Sequence, residues 1–184
     1  MDGMKEDIRI ETERLLLRPI TLDDTEAIYA YSKNENVGPN AGWKPHESIE
    51  ETRALMEVIF VGQEGVFGIV LKATGKLIGT IGLVEDRKRQ YDKVKMLGYA
   101  IDEAYWGCGY TTEAAAALIH YGRGVLQLRL ISVYCYPFNE RSKRVIAKLG
   151  FHYEGRLALS EQLYNGVVYD HECYAMVLED RYAG

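Results

Sequence analysis

Two glycines stand one residue apart directly before a helix-forming run in the stretch YWGCGYTTEA, residues 105–114. Glycine tolerates positive φ angles and lets a backbone approach a ligand closely. The first N–H groups of a helix have no partner inside it, and the helix dipole is positive there, so this position favours a phosphate. Two interpretations follow: a tight turn that needs Gly107 and Gly109 for its conformation alone, or a loop that holds a phosphate group.

Neither of the two common phosphate-binding motifs fits this loop. A Walker loop ends in Gly-Lys-Ser or Gly-Lys-Thr, and the dinucleotide-binding motif needs a third glycine and a later acidic residue. The stretch YWGCGYTTEA has no such lysine and no third glycine. The chemistry therefore has to be identified from the surrounding elements.

Composition limits the class of protein. The chain has 184 residues, of which 47% are hydrophobic and 27% charged, so it can bury a core, and we expect one domain over residues 1–184. A formal charge of -5 disfavours a broad nucleic-acid surface. No apolar run approaches the roughly 20 residues of a membrane span, and the charged amino terminus does not suit a secretory signal. We therefore expect a cytoplasmic protein without nucleic-acid or membrane partners.

The cysteines and histidines give no sign of a metal site. Cys108, Cys135 and Cys173 form no CxxC pair, and the four histidines share no metal-ligand spacing. The sequence therefore predicts reduced thiols and no metal.

Local patterns predict the elements in the first third of the chain. Thr21 and Ser48 each precede an acidic residue by three positions, which is the spacing of a capping box at a helix start. The segment between the two helices, 37–47, is predicted to be irregular and to expose Trp43. The predicted elements are a strand over 8–20, a helix over 21–34 and a helix over 48–60.

The remainder of the chain begins with a predicted β-hairpin that turns at Gly75. The predicted elements are hairpin strands over 66–74 and 77–86, a strand over 93–102, a helix over 111–126, a strand over 128–136, a helix over 139–149 and strands over 151–159 and 167–178. Antiparallel strands followed by a β-α-β-α-β run favour an α+β domain. We expect one central, mixed and mostly antiparallel sheet of about seven strands with flanking helices.

Two longer blocks carry a family resemblance: LGYAIDEAYWGCGYTTEA, residues 97–114, and YPFNERSKRVIAKLGFHYEGRL, residues 136–157. Together they resemble the GNAT superfamily of acetyl-CoA-dependent N-acetyltransferases, and within it the branch of ribosomal-protein N-terminal acetyltransferases. The resemblance runs from the ETERLLLRP segment to the last strand. It implies a GNAT-like fold, acetyl-CoA as co-substrate and a primary amine as acceptor. It also allows a homodimer, which is common in that branch.

The family's pyrophosphate motif is Gln or Arg, two residues, Gly, one residue, then Gly or Ala. Trp106 falls at the first of these positions, Gly109 at the second and Thr111 at the third. Since Trp106 has neither a guanidinium nor an amide, the resemblance implies that backbone N–H groups make the phosphate contacts. The implied residues are Gly107, Cys108, Gly109, Tyr110, Thr111 and Thr112.

The resemblance places the rest of the coenzyme on the strand before this loop and the helix after it. In the family this strand splays from its neighbour and the pantetheine lies along it, which implies backbone contacts from Tyr99 and Ile101; the alternative is a strand paired on both sides. Asn139 suits a helix N-cap, and the resemblance adds a pantetheine contact. Ser142 is implied where the thiolate leaves. The tyrosine that often protonates this thiolate is replaced by Ile146, so the acid is Ser142, a water or absent.

Glu161 is the candidate general base. By residue type it is an exposed loop carboxylate, whereas in the resembled branch a glutamate at the matching position is the proposed base, acting through water. An α-amine has a pKa of about 7.7 to 8.0 and must lose a proton before it attacks. The resemblance thus implies that Glu161 binds the ammonium and accepts its proton.

Three hypotheses on function remain open, two of which differ in the acceptor. The resemblance favours a protein N-terminal α-amine, and the alternatives are a small-molecule amine, such as a polyamine, an amino acid or an aminoglycoside, or a non-catalytic acyl-CoA-binding module. Polar and aromatic side chains before the second helix and after Glu161 are the candidate walls of an amine pocket. They are Asn40, Trp43, His46, Tyr164 and Asn165.

Overall fold

A sheet of apolar strands forms the centre of the protein, for which a computed structural model describes residues 8–179. The strands are β1 Ile10–Glu11, β2 Leu15–Arg18, β3 Val66–Leu71, β4 Lys76–Val84, β5 Val94–Ile101, β6 Leu130–Cys135, β7 His152–Gln162 and β8 Val168–Val177. They pair in the order β1-β2-β3-β4-β5-β6-β8-β7, and only β5 and β6 run parallel. The predicted mixed, mostly antiparallel sheet is confirmed, with eight strands where about seven were expected.

The helices lie on both faces of this sheet. Those in the described residues are α1 Thr25–Ser32, α2 Gly38–Ala41, α3 Ile49–Ile59, α4 Tyr110–Gly124 and α5 Glu140–Leu149. The side chain of Ser48 accepts the Glu51 N–H at 3.1 Å, and the Thr21 N–H donates to Asp24 Oδ2 at 2.9 Å. The predicted helix start at Ser48 is therefore confirmed, whereas the contact at Thr21 opens a single 3-10 turn over Leu22–Asp24 and α1 begins only at Thr25.

Two apolar clusters hold the helices to the sheet. On one face, α4 and α5 cover a cluster that includes Leu118 and Ile146. On the other, α1 and α3 cover a cluster that includes Ile28 and Met56. All residues of β3 are buried, as expected for a strand covered on both faces.

The predicted first strand over 8–20 was wrong in its continuity, because the chain turns back after β1, and β1 pairs antiparallel with β2. At the break, the Thr12 hydroxyl donates to Glu113 Oε1 at 2.6 Å, and the Arg14 N–H donates to the same oxygen at 2.9 Å. The carboxylate of Glu113 therefore holds the turn between β1 and β2 and ties this sheet edge to the first turn of α4.

The segment over 37–47 was wrongly predicted to be irregular, since it contains the short helix α2. Pro39 stands in its first turn, where its missing N–H costs nothing, and Gly42 ends it with a φ of 92°. Trp43 was predicted to be exposed, but it is half-buried against the cluster under α1 and α3. The ring packs there because α2 turns it toward Gly38.

Strands β5 and β6 part after a short parallel ladder. Their pairing runs only from Val94 to Met96, opposite Leu130 to Ser132. Strand β5 keeps its antiparallel pairing with β4 as far as Ile101. One backbone edge of residues 97–101 is therefore open, which excludes the alternative of a strand paired on both sides.

Candidate active site

A cavity of about 400 Å³ opens where β5 and β6 part. Its walls come from β5, the glycine loop, the first turn of α4, one side of α5 along most of its length, and α2. Most residues predicted to bind the coenzyme or substrate line it: Asn40, Tyr99, Ile101, Gly107, Gly109, Tyr110, Thr111, Thr112, Asn139 and Ser142. Separate segments thus meet at one opening in the sheet.

The glycine loop presents a run of free N–H groups. Gly107 and Gly109 have positive φ angles of 75° and 82°. A tight turn and a phosphate-holding loop both need this conformation, so the angles do not decide between them. Among the described residues, no N–H group of residues 107–112 donates a hydrogen bond to a backbone or side-chain acceptor. Successive unpaired N–H groups at a helix start form a concave anion site, so the loop suits a phosphate.

Two neighbours hold the loop in place. Arg14 Nη1 donates to the carbonyl of Cys108 at 3.0 Å, and Trp106 Nε1 donates to the carbonyl of Ile101 at 3.0 Å. Cys108 does not line the cavity, and its side chain is exposed. Its carbonyl therefore anchors the loop from outside.

A pair of hydroxyl groups lies at the start of α5. The Tyr99 hydroxyl is 2.7 Å from Ser142 Oγ, and both residues line the cavity. Burial raises the pKa of Tyr99 to about 12, so its phenol keeps its proton at neutral pH. Ile146 is fully buried in the core, so its position on α5 contributes nothing to the cavity. The sequence assigned only the backbone of Tyr99, because a phenol on a strand gives no sign of the helix it will meet.

Asn139 makes two contacts that join α5 to α2. Its Oδ1 accepts the Ser142 N–H at 3.1 Å, which confirms the N-cap. Its Nδ2 donates to the carbonyl of Asn40 at 3.1 Å. The cap therefore also fixes the wall of the cavity opposite the glycine loop.

Glu161 lies at the end of β7, so its placement in a loop was wrong. The Tyr136 hydroxyl donates to Glu161 Oε2 at 2.6 Å, and His171 Nε2 lies 3.2 Å from the same oxygen. Burial, reinforced by the charge of Lys88, lowers the pKa of His171, so its ring is neutral at pH 7. Since His171 Nδ1 lies 2.8 Å from the Ser160 hydroxyl, it suits an acceptor role that leaves Nε2–H to donate to Glu161.

Aromatic rings cluster around Tyr136, the residue that donates to this carboxylate. The ring of Tyr136 lies 5.4 Å from Phe138, 5.6 Å from Tyr169 and 5.2 Å from His171, centroid to centroid. Such rings attract a cation over their faces. With Glu161 among them, they make a site that suits an ammonium group.

Helix α2 separates the cavity from Glu161. Asn40 and Ala41 line the cavity, while a Cβ atom placed on Gly42 would lie 2.7 Å from the Tyr136 hydroxyl and 3.9 Å from Glu161 Oε2. Glu161 itself is not part of the cavity wall. The two halves of the site therefore meet across the end of α2.

Other predicted substrate residues lie away from the cavity wall. The indole N–H of Trp43 is buried with no partner among residues 8–179. Tyr164 is exposed, and Asn165 Oδ1 accepts the Val167 N–H in the turn after β7. His46 Nδ1 lies 2.8 Å from the Thr52 hydroxyl. Only Asn40 of this set reaches the cavity.

Sequence reasoning missed the basic side chains of α5 that line the cavity: Arg141, Arg144 and Lys148. Their spacing of three and four residues places them on one side of the helix, and this spacing was the signal available in the sequence.

No group of three or more His, Cys, Asp or Glu side chains in residues 8–179 is arranged to hold a metal ion. No helix in the same part of the chain is long and apolar enough to cross a membrane.

Comparison with known proteins gives one consistent family. A family model described as an acetyltransferase (GNAT) domain matches residues 14–152. The N-acetyltransferase YoaA of Bacillus subtilis (strain 168) is 34% identical over 173 residues, covering 91% of this chain and 96% of that protein. The crystal structure of a GNAT-family acetyltransferase from Bacillus anthracis superposes with a TM-score of 0.84 at 27% identity, covering 94% of this chain and 100% of that one.

Two relatives have named acceptors. The ribosomal-protein-serine acetyltransferase of Escherichia coli (strain K12) is 32% identical over 106 residues, covering 58% of each chain. The spermidine N(1)-acetyltransferase of the same strain is 27% identical over 154 residues, covering 82% of this chain and 78% of that protein. These relatives represent the two acceptor classes that the sequence left open.

Proposed function

The chain belongs to the GNAT family of acetyl-CoA-dependent N-acetyltransferases, and we propose that its acceptor is a protein N-terminal α-amine. We also propose that residues 1–184 act as one domain. The observation that carries the proposal is the position of Glu161: a half-exposed carboxylate among aromatic rings, across α2 from a cavity whose glycine loop has free N–H groups.

The coenzyme half of the proposal places acetyl-CoA in the cavity. The free N–H groups of residues 107–112 suit its diphosphate. The open edge of β5 near Tyr99 and Ile101 suits the amides of its pantetheine arm, as does Asn139 on the facing wall. Bound acetyl-CoA supplies the thioester, and the chain's residues fix where that thioester lies.

The acceptor half gives Glu161 the role of general base. Its Oε2 is occupied by Tyr136 and His171, whereas Oε1 has no partner among the described residues. We propose that Oε1 binds the ammonium group of the acceptor and takes one of its protons before the amine attacks. The freed amine nitrogen then bonds to the carbonyl carbon of the thioester while the carbon–sulfur bond breaks. The nitrogen sheds its second proton as the amide forms, and this proton makes good the one that Ser142 gives to the sulfur, so that one proton stays on Glu161 and the other ends on CoA.

Ser142 is the proposed donor to the departing sulfur. It stands in the first turn of α5, where the helix dipole stabilises a developing negative charge. The phenol of Tyr99 stays protonated, and we assign it the donor role toward Ser142 Oγ, 2.7 Å away, which leaves the Ser142 proton free to turn toward the thiolate. This pair takes the place of the family's tyrosine acid.

The arrangement of charges favours a monocation over a polyamine. Glu161 pairs with Tyr169 in the β7–β8 hairpin, and alternation places His171 on the same face. Asp170 and Glu172 alternate to the opposite face, and both lie within ion-pair distance of one arginine side chain. On the Glu161 face, the charge next to His171 is the ammonium of Lys88, at 3.4 Å. A second ammonium group would therefore meet a cation.

An acceptor competition tests this proposal. We would measure thiol release from acetyl-CoA with a short peptide that has a free N-terminus, the same peptide with a blocked N-terminus, and spermidine. The free peptide should be acetylated with a higher kcat/KM than spermidine, and the blocked peptide should be inert. Preference for spermidine would overturn the acceptor and favour the second candidate, a polyamine.

A further inference from the structure

Arg141 stacks on the residue that opens the glycine loop. Its guanidinium carbon lies 3.5 Å from the centroid of the Trp106 ring, and both residues line the cavity. Trp106 is itself fixed, because its indole N–H donates to the carbonyl of Ile101. The indole is therefore a rigid platform that orients the guanidinium plane.

Arg141 lacks the carboxylate partner that most arginines among residues 8–179 have. Arginines with a carboxylate within 4.0 Å are Arg14, Arg18, Arg53, Arg89, Arg129 and Arg156. Among residues 8–179, Arg141 has no hydrogen bond and no carboxylate within 4.0 Å, and the carboxylate of Glu103 acts on it only through its charge at longer range. Its planar set of five N–H donors matches the oxygens of a phosphate. An oriented, unpaired guanidinium on a cavity wall is a site for an anion.

We propose that Arg141, oriented by Trp106, binds the diphosphate of acetyl-CoA from the α5 side of the cavity. The inference rests on the proposed position of acetyl-CoA. In the resembled family a Gln or Arg side chain stands where Trp106 stands here. Arg141, on α5, therefore supplies the positively charged side chain that this position of the loop lacks. Trp106 is then a positioning residue, because it acts through Arg141.

The position of Arg141 favours the diphosphate over the 3′-phosphate of the coenzyme. Trp106 directly precedes the free N–H groups of residues 107–112, so its partner guanidinium lies beside the same anion site. Arg144 and Lys148 lie about 4.5 and 10.5 Å farther along the axis of α5, given a rise of 1.5 Å per residue. Those two side chains are placed for groups farther from the loop.

Binding measurements with two ligands test the assignment. Calorimetry would compare CoA with dephospho-CoA, which lacks the 3′-phosphate, on the wild type, Arg141→Ala and Arg123→Ala. Arg123 is exposed near the other end of α4 and controls for the loss of one charge. We expect Arg141→Ala to raise the Kd of both ligands about tenfold and Arg123→Ala to leave both Kd values unchanged.

The outcomes separate the proposals. A loss confined to CoA would move Arg141 to the 3′-phosphate and overturn the assignment, as would equal binding by Arg141→Ala and the wild type. If the wild type bound neither ligand, the proposed function would fail and this inference with it.

A double-mutant cycle tests whether Trp106 acts by orienting Arg141. Trp106→Leu should weaken CoA binding about threefold alone and cost nothing further in the Arg141→Ala background, because it acts through that guanidinium. Losses that simply add would show that Trp106 has a separate structural role. Arg141→Lys should recover part of the affinity, since it restores the charge without the planar donors.

Discussion

Glu161 has both of its hydrogen bonds on one oxygen, and this asymmetry determines its chemistry. Tyr136 and His171 hold Oε2, so the side chain is oriented while Oε1 remains available for a proton. Orientation by neighbours is how a general base is kept within reach of its substrate. Sequence reasoning found Glu161 by resemblance alone, because Tyr136 comes to it from the segment after β6 and His171 from β8.

Glu161→Gln should keep the fold and lose catalysis. The amide retains the size and one acceptor oxygen but cannot take a proton, so we expect kcat to fall by about 100-fold or more. Steady-state kinetics at saturating acetyl-CoA would measure it. Asp170→Asn, on the opposite face of the hairpin, is the matched control and should keep kcat near that of the wild type. Equal kcat values for Glu161→Gln and the wild type would show that Glu161 is not the general base.

Ser142→Ala and Tyr99→Phe test the hydroxyl pair. If Tyr99 acts through Ser142, then Ser142→Ala should lower kcat by about tenfold, Tyr99→Phe by less, and the double variant no more than Ser142→Ala. Pre-steady-state measurement of thiol release would follow the step itself. A larger loss in Tyr99→Phe than in Ser142→Ala would make the phenol the direct donor.

At the scale of elements, the site depends on where two strands part and on a short helix that crosses the gap. Alternation and capping residues predicted most strands and both early helices, because those signals are local, as at Ser48. The break between β1 and β2 was not predictable, since it depends on Glu113, 101 positions after Thr12. Helix α2 was missed because a four-residue segment carries no hydrophobic period.

Gly42→Ala should affect the acceptor half of the site alone. The new Cβ would approach the Tyr136 hydroxyl to 2.7 Å at a φ of 92°, displacing the donor that holds Glu161. We expect a higher KM for the amine with an unchanged KM for acetyl-CoA. Gly62→Ala is the control, because it introduces the same strain at a φ of 72° with no atom within 4 Å. Equal effects of the two variants on the amine KM would argue that strain, not Tyr136, is responsible.

At the scale of the whole molecule, buried carboxylates tie distant segments together and make stability depend on pH. Burial acts to raise the pKa of Asp24 and Asp86, but hydrogen bonds outweigh it and lower both values. The main donors are the guanidinium of Arg18 to Asp24 and the hydroxyl of Ser132 to Asp86, at 2.7 Å each. Groups with depressed pKa values stabilise the fold only while they are ionised.

The free energy of unfolding should therefore fall in acid. The contribution of these groups is complete above the ordinary aspartate pKa of about 3.9 and is lost as the pH falls through their lower folded values. Denaturant melts from pH 7 down to about pH 2 would measure the decline. Asp86→Asn should be less stable at pH 7 and decline less steeply, whereas an unchanged slope would show that Asp86 does not contribute.

The fold as a whole was predictable because two sequence blocks carry a family pattern, and the comparisons confirm that family over residues 14–152. The acceptor was not predictable from these blocks. It depends on side chains such as Phe138 and Tyr169, which meet only when separate strands pair in the finished sheet.

The proposed acceptor is tested most directly with a peptide that has a free N-terminus and one internal lysine. Mass spectrometry would locate the acetyl group after reaction of this peptide with acetyl-CoA and the protein. The expected result is a single acetyl group on the N-terminal nitrogen, formed by the wild type and lost in Glu161→Gln. Acetylation of the lysine alone, or no acetylated peptide although the protein binds CoA, would show that a protein N-terminal α-amine is not the acceptor.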